Sequence, residues 1–490
     1  MNSVNVIEKW SYTVGNVNVI EKWSYAVGNV PFSVKEAVYA NFVIFYYTQV
    51  NGLSGSLAGL AMFISLVWDA ISDPIVGSWS DNFRSSWGRR HPLLVAGAIP
   101  TTLLFFGLFA PLSHLTELGI FTWLLVVSIL LRTAMTIYFV PYTAMGAELS
   151  TDYDQRTIIA KARITVGWIA GMALPAIAYA FFFKSQDGID GRLLADNYWS
   201  LGVLSAVVAG VTAAICIIGT RSVIPRLPLG NVSKIFTWSD PYNDLKTIMI
   251  NRNFRISIGS NLAFGMSTGV YATLSLYLAT FFWELSTAQL AGLVVPTAIA
   301  TLIAFVALGS LSSHFDKPTL MAVCSIVLAI NSLWLFGGRL FDLLPDNNDP
   351  ILYLLIAFNT VVGVLMVVSL QILSASFGAD ILDELELQTG KRQEGVLFSV
   401  GAFVSKSTIG AGALVAGIAI DLVGIESTSL PGQVSADVLQ ALGWFTMIIT
   451  VGFALIGFFF VNQLHLSRSD HARMRIILDT IAETKRDEPT

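Results

Sequence analysis

Twelve stretches of this chain stay apolar for about 20 residues or more, the length a helix needs to cross a bilayer. They lie near 32–51, 57–80, 92–111, 118–146, 159–183, 198–220, 256–282, 287–311, 318–338, 350–379, 395–423 and 437–462, and are numbered I to XII in that order. Backbone amides in lipid have no water to bond, so runs of this length are read as helices. The organisation expected is an N-terminal segment at 1–30, six runs within 31–220, a central loop at 221–255, six runs within 256–462 and a tail at 463–490. From Ser467 to Thr490 that tail is charged and reads as a short surface helix. Of the 490 residues, 54% are hydrophobic and 12% charged, about half the charge of an average soluble protein. The fold class is therefore all-α membrane protein.

Several other classes are excluded or unsupported. A net charge of −5 over so long a chain gives no argument for a nucleic-acid partner, and none is expected. Cys216 and Cys324 both fall inside apolar runs and read as buried inert thiols. The five histidines are scattered, and no phosphate-cradling glycine loop or metal-binding cysteine pair is visible, so an enzyme is not expected. No cleavable secretory signal is apparent. Val4–Asn16 and Val17–Asn29 form a near-perfect tandem repeat, VNVIEKWSYTVGN and VNVIEKWSYAVGN. It reads as a local duplication leading into run I, with one copy dispensable and Trp10 and Trp23 suited to a membrane interface.

Basic residues set the orientation. Arg84, Arg89 and Arg90 follow run II, and Arg156, Lys161 and Arg163 follow run IV. Arg221, Arg226, Lys234, Lys246, Arg252 and Arg255 fill the central loop, while Lys391 and Arg392 precede run XI. Alternate loops carry acids: Glu117, Asp187, Asp190, Asp342, Asp346 and Asp349. The positive-inside rule then places both termini in the cytoplasm of a multi-pass cell-membrane protein. On that side the Asn231-Val232-Ser233 motif is no glycosylation site. The two halves also echo each other, with LSGSLAGL at 53–60 and LSTAQLAGL at 285–293. Internal repetition is a mark of carriers whose halves rock about a central site.

Charges inside the runs need a reason. Asp69 and Asp73 sit in the middle of run II, where each costs about 2.5–3.5 kcal/mol to insert. Spaced i and i+4, they share one helical face, with Ser72 beside them. Two like charges so close either share a proton or enclose a cation, and hard oxygen ligands suit Na⁺ or H⁺. The competing reading is a structural ion pair with a base on another helix. Lys406, about three turns into run XI, is too deep to snorkel easily and needs an anion, a carboxylate or a wet cavity. Lys35, Glu36 and Arg163 stand close enough to run ends that either an edge or a cavity position fits. The loop after run II reads Gly77-Ser78-Trp79-Ser80-Asp81 and then Trp87-Gly88-Arg89-Arg90. A glycine four before an aspartate permits close helix approach, and the aspartate can pair with a base at a helix end. This resembles the conserved loop of the major facilitator superfamily, with insertions, and implies that Gly77, Asp81, Arg89 and Arg90 serve gating.

Trp68-Asp69-Ala70-Ile71-Ser72-Asp73-Pro74 closely resembles the helix II motif of the glycoside–pentoside–hexuronide cation symporters, the melibiose-permease-like branch of that superfamily. The resemblance extends through Tyr46-Tyr47-Thr48, Gly52-Leu53-Ser54, Ser86-Trp87-Gly88-Arg89, Val140-Pro141-Tyr142, Arg392-Gln393-Glu394-Gly395 and Lys406. It implies two six-helix bundles around a central cavity, alternating access, and a monomer. By position it implies Asp69, Asp73, Ser72 and Thr136 at a cation site for Na⁺ or H⁺, with Arg163 and Lys406 shaping a substrate site. The family's sugar-binding carboxylates fall at Ser33 and Phe139, and its sugar-stacking aromatic at Thr143, so the sugar site departs from the pattern. A lysophospholipid-transporting branch is similar in run II, Val140-Pro141-Tyr142 and Lys406, and Phe139 would suit an amphiphile. The function expected is cation-coupled symport of a small organic solute across a lipid bilayer. Its rivals are a proton-driven exporter of apolar or amphiphilic compounds and a non-transporting receptor or scaffold.

Overall fold

The computed structural model describes residues 17–110, 114–150, 152–227, 246, 248–390, 394–427 and 429–487. The first repeat copy with Trp10, most of the central loop with Lys234 and Asn231-Val232-Ser233, and Lys391, Arg392 and Gln393 lie outside them. The chain divides into two compact units, Met1–Phe236 with Glu426–Leu430, and Thr237–Ile425 with Pro431–Thr490.

In the first unit, α1 (Val19–Val27) and α2 (Val30–Val38) precede α3 (Gly55–Asn82), α4 (His91–Leu108), α5 (Glu117–Glu148), α6 (Tyr153–Ile177) and α7 (Ala195–Gly219). The second holds α8 (Arg252–Tyr277), α9 (Thr287–Gly292), α10 (Val294–His314), α11 (Lys317–Leu340), α12 (Pro350–Thr389), α13 (Glu394–Val423), α14 (Ala436–Val461) and α15 (Arg468–Asp487). Among the described residues, eleven helices are long and apolar enough to cross a membrane. Run I supplies a further span, helical from Val30 to Val50, in which α2 continues through π-helical turns at Tyr39–Val43 and Tyr46–Val50. Twelve spans follow, as the hydropathy runs predict.

The two units repeat one packing scheme. In the first, α2 packs on α6 and α7, α3 and α4 on α5, and α4 on α7. In the second, α8 packs on α13 and α14, α10 and α11 on α12, and α11 on α14. Replacing runs I to VI by VII to XII converts the first set into the second. The echoed turn is also built twice. At the end of run I the Leu53 N–H donates to Tyr47 O at 2.9 Å, and at the end of run VII the Leu285 N–H donates to Ala279 O at 2.8 Å. Both bonds reach back six residues, closing a π-helical turn (Tyr46–Val50 and Leu278–Phe282) before the next helix starts.

Two terminal segments are more structured than a loose leader and tail. The second repeat copy folds into α1, started by a capping box between Asn18 and Glu21. It packs on α6 and α7. Tyr25 is buried and stacks on Tyr142 at 4.7 Å, while Trp23 stays exposed. This segment packs into the first unit: Glu21 pairs with Arg226 and accepts from Ser222, while Tyr25 joins a buried cluster with Tyr138 and Tyr142. At the other end, α15 packs on α12 through His471 and Arg475, which reach Asp383 at 3.2 and 3.5 Å.

Candidate functional site

The backbone of α3 is interrupted at the aspartates. Pro74 follows Asp73 and has no N–H to donate, so the Ala70 carbonyl loses its helical partner. Pro141 does the same on the facing helix α5. Trp68 Nε1 donates to Thr133 Oγ1 at 2.8 Å and ties the two helices together beside this break.

Asp69 is 4% exposed and Asp73 half-buried. Thr136 Oγ1, from α5, lies 3.1 Å from Oδ1 of Asp69 and 3.1 Å from Oδ1 of Asp73, bridging the pair. Ser72 turns to its own backbone, its hydroxyl donating to Asp69 O at 3.2 Å. Among the described residues no group of three His, Cys, Asp or Glu side chains is placed to hold a metal ion. The oxygens of Asp69, Asp73 and Thr136 converge from two helices inside the span.

A base stands at this place that the sequence motifs do not announce. Arg132, one turn before Thr136 on α5, is 2% exposed, and its Nη1 lies 3.6 Å from Asp69 Oδ2. Its Nε donates to Ser65 Oγ at 3.2 Å, and its guanidinium carbon sits 4.6 Å from the centre of the Tyr39 ring. The competing reading of Asp69, an ion pair with a base on another helix, thus holds together with the carboxylate pair. The signal for Arg132 is the one that marks Asp69, a lone charge in the middle of an apolar run.

Lys35 is no edge residue: it is 1% exposed, pairs with Glu36 at 2.7 Å and lies over the Phe32 ring at 4.9 Å. Glu36 keeps half its side chain accessible, and its surroundings include the charges of Lys35, Arg132 and Asp69.

The remaining candidates scatter. Phe139 stacks on Phe32 at 4.0 Å, and the Thr143 hydroxyl donates to Val140 O at 2.9 Å within its own helix. Ser33 faces α6, 3.9 Å from where a Cβ on Gly171 would stand. Arg163 Nη1 is 3.5 Å from the Tyr25 hydroxyl, and its carbonyl accepts from Asn29 at 3.2 Å. Lys406 is half-buried on α13, in the second unit.

Of the loop residues, Arg90 is buried and its Nη2 pairs with Asp81 at 2.9 Å and with Glu148 at 2.6 Å. Its Nη1 donates to Ser80 Oγ at 2.6 Å. Arg89 also pairs with Glu148. Glu148, the last residue of α5, is the member the motif leaves out. Gly77 is no point of closest approach: a Cβ there would meet Val140 at 3.8 Å, an ordinary contact. That corrects the reason given for this glycine, because a methyl group has room.

Twelve spans in two halves that repeat one scheme, with charges buried inside them, define a polytopic membrane carrier. The model of the MFS/sugar transport protein family matches residues 24–468, and the chain belongs to that family. It is a transporter, not an enzyme. It is similar to the inner membrane symporter YicJ of Escherichia coli (strain K12), 25% identical over 453 residues that cover 91% of each chain. It is also similar to the putative glycoside/cation symporter YagG of the same organism, 27% identical over 399 residues covering 79% of each. Among solved structures, the xylose transporter XylE from E. coli aligns with a TM-score of 0.61 over 92% of this chain and 98% of that one. At 12% identity this likeness shows the fold alone.

Proposed function

We propose that the protein is a cation-coupled symporter of a glycoside or a related polyhydroxylated solute in the cell membrane, with both termini cytoplasmic. The observation that carries this reading is the bridge of Thr136 between Asp69 and Asp73, which gathers oxygens suited to one monovalent cation or a proton. Neutralising the pair changes the relative stability of inward- and outward-open states, which is what coupling requires. Glu36, half-accessible beside Lys35, offers acceptor oxygens for sugar hydroxyls where Ser33 and Phe139 offer no carboxylate. Arg163 in the first unit and Lys406 in the second are each assigned to solute binding, and Asp81, Arg89, Arg90 and Glu148 to a gating cluster. The family and the symporter relatives support the class, and the absence of acids at Ser33 and Phe139 supports a solute unlike a simple hexoside.

The test is the melting of the purified protein with glycosides, pentosides, uronides and lysophospholipids, each at high and low pH and in NaCl or choline chloride. A ligand at 100 times its dissociation constant adds about 2.7 kcal/mol when it binds only the folded state. A glycoside that stabilises only where the cation site is loaded supports the reading. Stabilisation by lysophospholipids alone would move the solute class to amphiphiles and refute this one.

A further inference from the structure

We infer that α1 is an interfacial anchor: Val19, Ile20 and Trp23 enter the bilayer, and Lys22 and Arg221 draw the headgroups of anionic phospholipids to it. The inference is independent of symport and of the side on which the termini lie.

Contacts along α7 fix the depth of α1. A Cβ on Gly28 would meet Cys216 Sγ at 2.5 Å, and one on Gly219 would run into the Ser24 hydroxyl. Further out, Glu21 accepts from Ser222 at 2.6 Å and pairs with Arg226. α1 therefore runs antiparallel to α7 and passes the level of Gly219, where that span ends. Trp23, next to Ser24, stands at this level, the boundary of hydrocarbon and headgroups where indole rings gather.

The faces of α1 divide accordingly. Glu21, Ser24 and Tyr25 are buried, while Val19, Ile20 and Trp23, at i, i+1 and i+4, are 68%, 72% and 50% exposed. Large apolar side chains grouped on one open face mark an interaction surface. The neighbouring span supplies its continuation: Val207, Val211, Ile215 and Ile218 are exposed at intervals of three or four residues along α7. That lipid-facing stripe reaches the level of Ser24 at Ile218, beside Gly219. An apolar face with a basic rim is the pattern of a helix lying in the interface.

The rim is formed by two bases. Lys22 Nζ lies 5.5 Å from the centre of the Trp23 ring, so the ammonium sits at the depth of the indole. Arg221 is exposed and opens the 3-10 turn Arg221–Arg226 directly after α7, next to the Ser222 that holds Glu21. Arg226 is paired with Glu21, which points the one acid of α1 away from the open face. Cations at phosphate level favour a headgroup of net negative charge, because a zwitterionic headgroup brings a cation of its own.

The experiment places one nitroxide on the full chain, at Ile20→Cys; Cys216 and Cys324 are buried, so the introduced thiol takes the label. Ile215→Cys is the bilayer reference and Ser86→Cys, in the exposed loop after α3, the water reference. Relaxation by oxygen, which concentrates in lipid, is compared with relaxation by a water-soluble nickel chelate. The vesicles are phosphatidylcholine alone or mixed equally with phosphatidylglycerol. In the mixture, position 20 should follow the position 215 reference. In phosphatidylcholine alone its nickel access should rise, by up to about fivefold for each base. Lys22→Gln with Arg221→Gln should give the phosphatidylcholine value in both vesicles. Nickel access at position 20 equal to that at position 86 in both vesicles overturns the anchor. Lipid burial that is identical in the two vesicles overturns the headgroup preference. A double variant that melts as the native chain does and still responds to phosphatidylglycerol overturns the part given to the two bases.

Discussion

A buried aspartate in a membrane helix costs about 2.5–3.5 kcal/mol on insertion, more than any single apolar neighbour returns. Asp69 recovers part of that cost from Arg132 and Thr136, two residues one turn apart on α5. The Thr136 hydroxyl is the smallest group on which the proposed cation site depends. Thr136→Val keeps the shape and removes the bridge, so we expect a folded protein whose response to cation falls at least about tenfold, the equivalent of one lost hydrogen bond to a charged group. Thr136→Ser should restore it; melting profiles taken across pH and NaCl check both. Asp69 and Asp73 stood out in the sequence as two acids in one apolar run, open to a cation site or to an ion pair with a base on another helix, and Arg132 stands against Asp69. Arg132 was harder to read. The surplus of large apolar residues around it hides a single base, and no motif pairs it with Asp69, so far back along the chain. Glu148 was hidden for another reason, since an acid at a helix end looks like solvent-facing polarity until Arg89 and Arg90 are seen to close on it.

At the scale of elements, most span ends were readable to within a few residues because a helix must cover the bilayer, but α12 runs on to Thr389, ten residues past run X, and α6 starts at Tyr153, six before run V. What hydropathy cannot give is contact. At the crossing of α8 and α13, a Cβ on Gly412 would stand 2.6 Å from Met266 O and 2.9 Å from Gly269 Cα. Backbone on both sides cannot yield, so Gly412→Val should destabilise by about 1–3 kcal/mol. Gly309→Ala, with nothing within 4 Å of the new Cβ, should melt as the native chain does.

The α1 segment gives a pH prediction. Burial alone would raise the Glu21 carboxyl, but bonds from Ser222 and the Asn18 N–H, together with the Arg226 guanidinium, hold it below its ordinary value near 4.5. A lowered folded value means that the stabilisation is full above the unfolded value and is lost as pH falls through the folded one. Glu21→Gln should therefore cost roughly 1.5–3 kcal/mol at pH 7, and the difference from the native chain should shrink as pH drops below about 4. Thermal melts of both proteins across that range test it. The repeat was visible in the sequence, but that its second copy is packed into the bundle was not: Glu21 and Tyr25 find partners in residues far along the chain.

At the scale of the molecule, each half pairs its helices by one scheme, yet the sequences of the halves agree in little beyond the turn at Leu53 and Leu285. Helix packing tolerates exchange of one apolar side chain for another, so an inherited arrangement outlasts its sequence. The charges inside the spans differ between the halves, with the carboxylate pair on α3 in one and Lys406 on α13 in the other. The most direct test of coupling is uptake of labelled glycosides into energised vesicles by the native chain and by Asp73→Asn. The account predicts accumulation above equilibrium in the native chain, abolished when the ion gradient is collapsed, and no uphill uptake by the variant, with exchange at most retained. Undiminished accumulation by Asp73→Asn would contradict it.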